Sequence, residues 1–215
     1  MPDWATWSSL ATAGGTLVLA VATFASVRSG NRSARIAEQA LQEQRRPLFV
    51  QSRQEDPDQK IMFGDSHWVT VEGSRGVAEY VDGVVYLVMS LRNAGAGIGV
   101  CQAWCVRAGP HRAATDHFPD DEYRAQMRDL YIPGGDTGLW QGALRDSSDP
   151  RLHEISEAIA RRETVTVELL YSDQVGGQRT ISRFGLIPFA SEEDDRVSWV
   201  VSGTRHWHLD RAGPR

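Results

Sequence analysis

No side chain from Trp4 to Val27 carries a charge, and after that point the apolar positions change their spacing twice. A helix needs about 20 mostly apolar residues to cross a bilayer, so this stretch predicts a transmembrane helix over residues 1–28. Its Ser, Thr and Gly suit helix contacts within a membrane, and Trp4 and Trp7 stand where an interfacial belt would. A buried helix of a soluble domain would show a polar face, and a secretory signal would start with Lys or Arg, whereas Met1, Pro2 and Asp3 precede the run. Residues 29–46 are strong helix formers with a narrow stripe of Ile36, Ala37, Ala40 and Leu41, which predicts a juxtamembrane stalk ended by Pro47.

From Leu48 the period becomes that of strands. Candidate strands are Leu48–Ser52, His67–Glu72, Val84–Arg92, Ile98–Arg107, Leu130–Ile132, Gly138–Leu144, Thr164–Ser172 with Gln178–Ile187 as a hairpin, and Val197–Leu209. Near 149–162, Pro150 follows a capping residue, and Leu152, Ile155 and Ile159 share one face, which predicts a single inserted helix. Short strands without βαβ alternation predict a mainly β fold, read as an immunoglobulin-like antiparallel β-sandwich over 47–210 with Trp104 in its core. The acidic run Glu192–Asp195 reads as a solvated loop, and residues 211–215 as a frayed tail.

Charge sets an orientation. Five Arg against Glu38 and Glu43 make residues 28–46 basic, whereas 47–215 carry 18 basic and 25 acidic side chains. Basic flanks stay on the cytoplasmic side, so the N-terminus is expected outside and the β-domain in the cytoplasm, anchored to the bilayer through the N-terminal helix. An exported domain on an uncleaved signal is the reverse arrangement. Cys101 and Cys105, about 13 Å apart along a strand, are too far apart for a disulfide and are expected to be reduced.

Several segments together carry a resemblance. They are the N-terminal span, the Arg-rich stalk ending in Arg45-Arg46-Pro47, Ser90-Leu-Arg-Asn-Ala-Gly-Ala-Gly-Ile98, Asp129-Leu-Tyr-Ile-Pro-Gly-Gly-Asp-Thr-Gly138, Gly176-Gly-Gln-Arg-Thr-Ile-Ser-Arg-Phe184 and Arg205-His-Trp-His-Leu-Asp210. In that order they resemble a group of uncharacterised actinobacterial membrane proteins over nearly the whole chain. The resemblance implies a bacterial inner-membrane protein with a cytosolic β-domain, and it implies no activity. Of the 23 basic residues all but Lys60 are Arg, which agrees with a GC-rich source.

Candidate chemistry is sparse. The chain has no nucleophile elbow or Ser-x-x-Lys, and Gly95-Ala-Gly-Ile-Gly99 precedes a strand, so it reads as a turn and not a phosphate loop. His206 and His208, two apart on a strand, share a face and would bind a metal if a third ligand arrived from a neighbour. The loop with His111, Asp116, His117, Asp120, Asp121 and Glu122 lacks a ligand spacing, and convergence of Asp136, Glu168 and Asp173 cannot be read from sequence. An acidic domain with scattered Arg disfavours nucleic acid. Arg179 and Arg183 share a strand face as an anion or partner contact, with a cross-strand ion pair to Glu168 as the other reading. These features suggest a non-catalytic interaction or scaffolding module with a protein partner and no cofactor, whose partner surface centres on Asp136, Asp173, Arg179 and Arg183. A small-ligand or metal sensor, or an enzyme with a pocket between the β-domain and the 148–162 helix, is the alternative.

Overall fold

The computed structural model describes residues 4–190 and 197–210. The predicted acidic loop Glu192–Asp195 and the 211–215 tail both lie outside the described residues. The chain divides into two units, Met1–Gln44 and Arg45–Arg215.

The first unit is one helix, α1 (Trp4–Gln44), so the predicted span and stalk run together without a break. Nothing in Arg28-Ser-Gly-Asn31 stops it, since no proline stands between Pro2 and Pro47 and a lone glycine costs a helix only about 1 kcal/mol. Thr12, Thr16 and Thr23 each donate a hydroxyl hydrogen bond to the carbonyl four residues earlier, at 2.9, 2.9 and 2.7 Å. Among the described residues no helix is long and apolar enough to cross a membrane. The physical reason is dilution, because Ala, Gly, Ser and Thr separate Leu17–Leu19, Val21 and Phe24.

The second unit is mainly β and antiparallel. Its strands are β1 (Phe49–Gln51), β2 (Gln59–Met62), β3 (Trp68–Val71), β4 (Arg75–Val81), β5 (Val84–Asn93), β6 (Gly99–Ala108), β7 (Arg124–Ile132), β8 (Thr137–Leu144), β9 (Val165–Asp173), β10 (Thr180–Ala190) and β11 (Val197–His208). Nine of them form one sheet in the order β1-β5-β4-β11-β10-β9-β6-β7, with β8 on the other edge of β5. The mainly β, antiparallel class is as expected, whereas this order does not by itself show the two facing sheets of an immunoglobulin-like sandwich. The strands were largely legible, but the pairing was not. β4 ladders to both β5 and β11 through Gly76, and the ladder shifts register at Arg183/Phe184 and at Cys101/Ala103, which bends the sheet into a curl. A Cβ on Gly76 would stand 2.4 Å from Leu186 and 2.7 Å from the Val88 carbonyl, so only glycine fits that crossing.

Inside the curl, Phe49, Leu87, Met89, Trp140, Phe184 and Trp199 are fully or almost fully buried. Trp104 is in this core as expected, edge-on to Trp140 at 5.5 Å. Helix α2 (Pro150–Ala160) starts on Asp149, whose carboxylate accepts the Arg151 amide at 2.9 Å, and it turns Leu152, Ile155 and Ala158 into the same core. The place proposed for a pocket beside this helix is therefore occupied by apolar side chains. The β2–β3 hairpin covers the outer face of β4, β5 and β8 through Phe63, Val69 and Val71 packed on Tyr86 and Val88.

Candidate functional site

Three polar constellations gather the residues singled out from sequence. The first lies on the inward face of β9, β10 and β11. Tyr171 pairs with Thr180, Thr180 with His208 and Ser182 with His206 in register, so their side chains line up across the strands. The Ser182 hydroxyl lies 2.7 Å from the Tyr171 hydroxyl and 2.6 Å from His206 Nδ1, and the Phe49 amide donates to Tyr171 at 3.1 Å. His208 Nδ1 is 3.2 Å from the Thr180 hydroxyl. Burial first, then the neighbouring His208, lowers the pKa of His206 below the ordinary histidine range. Burial also pushes the Tyr171 hydroxyl up to about 12.

This is a hydrogen-bonded chain built into the structure. Ser182 has no exposed surface, so its hydroxyl cannot meet a substrate despite the Ser–His contact. Among the described residues no group of three His, Cys, Asp or Glu is placed to hold an ion, so none of them joins this pair as a third ligand. Just beyond it, Arg46 donates two hydrogen bonds to Asp210 at 2.8 and 2.6 Å, tying the start of the β-domain to the end of β11. That contact holds the Asp210 carboxyl below the usual carboxylate range.

The second constellation lies on the outward face of the same strands. Arg183 and Glu168 are directly opposite in register, and both are essentially unexposed. Arg183 Nε donates to Glu168 at 2.6 Å, Nη1 donates to the His111 and Ala114 carbonyls at 2.7 and 3.2 Å, and Nη2 donates to the Asp116 carbonyl at 2.7 Å. The other Glu168 oxygen accepts from the Phe118 amide at 2.9 Å and from the Tyr123 hydroxyl. Phe118 and Trp207 sandwich the guanidinium at 4.9 and 4.8 Å. Arg183 is thus no partner contact. The segment from His111 to Tyr123 folds over it, and the ion pair read as the alternative is present. That segment offers Arg183 its backbone carbonyls. Of its acids, Glu122 is engaged by Arg107 and Arg151.

The third constellation is at the β9–β10 turn. Gly176 adopts φ +81°, its amide donates to the Asp173 carbonyl at 3.0 Å, and the Gln178 amide donates to the Asp173 carboxylate at 3.0 Å. Beside it is a shallow groove of about 370 Å³ lined by Val100, Gln102, Tyr131, Ser172, Asp173 and Val175. Val175 is 90% and Tyr131 57% exposed, a pair of apolar side chains flanking a carboxylate. Sequence reasoning found the turn but missed Tyr131, whose alternation on a short strand gave no hint that β7 flanks β6. Asp136 and Arg179 are also exposed, yet neither lines this groove. The four expected surface residues therefore do not form one patch.

The two cysteines are free and buried, and burial raises both thiols to about 12. No family model, no curated protein and no solved structure matches this chain.

Proposed function

We infer that the protein is a membrane-anchored, non-catalytic interaction module. In this reading α1 seats in the inner membrane of a bacterium with its N-terminus outside, and the cytoplasmic β-domain presents the β9–β10 turn and its groove to a protein partner. The observation that carries the anchor is the exposure of Leu17, Val18, Leu19, Val21 and Phe24, each more than 60% exposed, on a helix without charge from Trp4 to Val27. Contiguous apolar surface of this kind needs an apolar environment, and a bilayer supplies it. Hydropathy alone does not argue for crossing. The support comes from the charge-free stretch, the internally bonded threonines, and the Arg28, Arg32 and Arg35 collar that suits anionic headgroups.

The presentation of loops expected of an immunoglobulin-like sandwich applies equally to a curled sheet, and a tether raises the local concentration of whatever binds. A core filled by tryptophans and closed by α2 favours a surface function over a buried ligand site. The test is affinity capture of the intact protein from its native membrane beside a Val175→Asp variant. Reproducible protein partners lost in the variant support the module. A co-purifying metabolite or metal, retained in the variant and without a protein partner, overturns it.

A further inference from the structure

Strands β7 and β8 are joined by the tight turn at Pro133–Asp136, yet among the described residues no backbone ladder connects them. They are the two ends of the nine-stranded sheet, and the curl brings them to one seam. Near the turn the Ile132 side chain lies against Gly138, and further along the Gln126 side chain bridges the seam by hydrogen bonds. Gln126 Nε2 donates to the Gln141 carbonyl at 3.1 Å, and Gln126 Oε1 accepts from Trp140 Nε1 at 3.2 Å. Laddered strands lie about 4.8 Å apart and bond through their backbones, so a side-chain bridge marks strands standing further apart than that.

The two edges are unlike. β7 carries Arg124, Arg128 and Asp129, the usual protection of an exposed edge, while Thr137-Gly-Leu-Trp-Gln-Gly-Ala-Leu144 has neither charge nor proline. In an antiparallel strand the N–H and C=O of one residue face the same neighbour. Since the Gln141 carbonyl faces β7, the backbone groups of Leu139, Gln141 and Ala143 all face the seam. Gln141 Oε1 is buried with no hydrogen-bond partner.

The β7 side is built to yield. Its ends are held, by Arg124 on Asp149 at 2.6 Å and by the ladder of Leu130–Ile132 with Gly99–Cys101. Between them residues 126–129 pair with no residue of β6, and Met127 is 93% exposed.

We propose that the β7–β8 seam is a docking slot for an extended peptide strand of a partner protein, which ladders onto the uncharged edge of β8 and displaces the Gln126 bridge. This rests on the interaction-module reading and adds a binding mode to it. A run of alternating backbone donors and acceptors that makes no ladder is complementary to another extended backbone, which commits the occupant to a β-strand with small or apolar residues on its inward side.

The probe is a fluorescein-labelled octapeptide of alternating Val and Thr, titrated by anisotropy against the full chain in detergent micelles, with amide hydrogen exchange read in parallel. Saturable binding is expected, with slowed exchange over 137–144 and 126–129. Gln126→Ala, which removes two competing hydrogen bonds, should tighten binding about 3- to 10-fold. Ala143→Pro, which deletes one seam-facing N–H, should abolish it. If Ala143→Pro does not fold, the Gln126→Ala comparison decides alone. The slot is overturned by absence of saturable binding to both the parent and Gln126→Ala, or by protection at 173–177 with an affinity indifferent to Gln126. The latter result leaves the interaction-module reading standing.

Discussion

Replacing Glu168 by Ala should be among the most destabilising single changes in the β-domain. The carboxylate has no exposed surface and holds four donors: the Arg183 Nε and Nη2 groups, the Phe118 amide and the Tyr123 hydroxyl. Deleting it leaves a buried guanidinium whose remaining partners are three backbone carbonyls of the overlying segment. Breaking one half of a buried ion pair costs about 3–5 kcal/mol, because the surviving charge keeps its desolvation penalty and loses its counter-charge. Arg183→Met should cost a similar amount for the converse reason. The double variant Glu168→Ala with Arg183→Met should lose about 1–3 kcal/mol less than the sum of the two single changes, since neither buried charge then remains. Urea unfolding of the full chain in detergent, followed by tryptophan fluorescence, measures all three, and Trp207 against the guanidinium reports locally. Protease sensitivity between His111 and Tyr123 should rise in step. Single losses below about 1 kcal/mol that add in the double variant would refute the claim that this pair secures the segment.

Three further outcomes follow from the same geometry. His206 is held neutral by burial, so below the free-histidine value of 6.5 the unfolded chain binds a proton that the folded chain resists. Stability should therefore be full above that pH and fall as pH drops toward the lowered folded value, and His206→Asn should flatten this part of a pH series of urea midpoints. Cys101 and Cys105, with thiols raised to about 12, should resist iodoacetamide at pH 8 in the native protein and react only on unfolding. Leu19→Arg on α1 places a charge in the apolar stretch at a cost of about 2.5–3.5 kcal/mol at a membrane centre, and should shift the protein from the floating to the soluble fraction in liposome flotation.

The elements legible in the sequence are those whose apolar residues run in a long or periodic block. β5, β9 and α2 appear within about two residues of their predicted ends and β10 runs three residues past its predicted end, because Val, Leu and Ile are concentrated in these segments. Arg75-Gly-Val-Ala-Glu-Tyr-Val81 was passed over as a strand since its glycine and mixed residues break alternation, yet Gly76 is what lets it pair with two neighbours. The same blind spot hid the curl. Register shifts beside Arg183 and Cys101 are tertiary features without a local signature. Arg183 illustrates the limit at the candidate site. Alternation put it correctly on the outward face, but outward became buried because a segment some seventy residues earlier folds back over it. His206 and His208 were placed on one face correctly, and their partners proved to be hydroxyls from the adjacent strand, whose identity depends on register.

In the proposed function the β9–β10 turn meets a protein partner while α1 holds the chain at a membrane. A photo-crosslinking amino acid placed at Val175, which is 90% exposed on the turn, tests this in native membranes. The expected result is one discrete protein adduct that disappears when Leu19→Arg releases the chain from the membrane. Irradiation that gives no protein adduct, or the same adduct from released and membrane-bound protein alike, would contradict it.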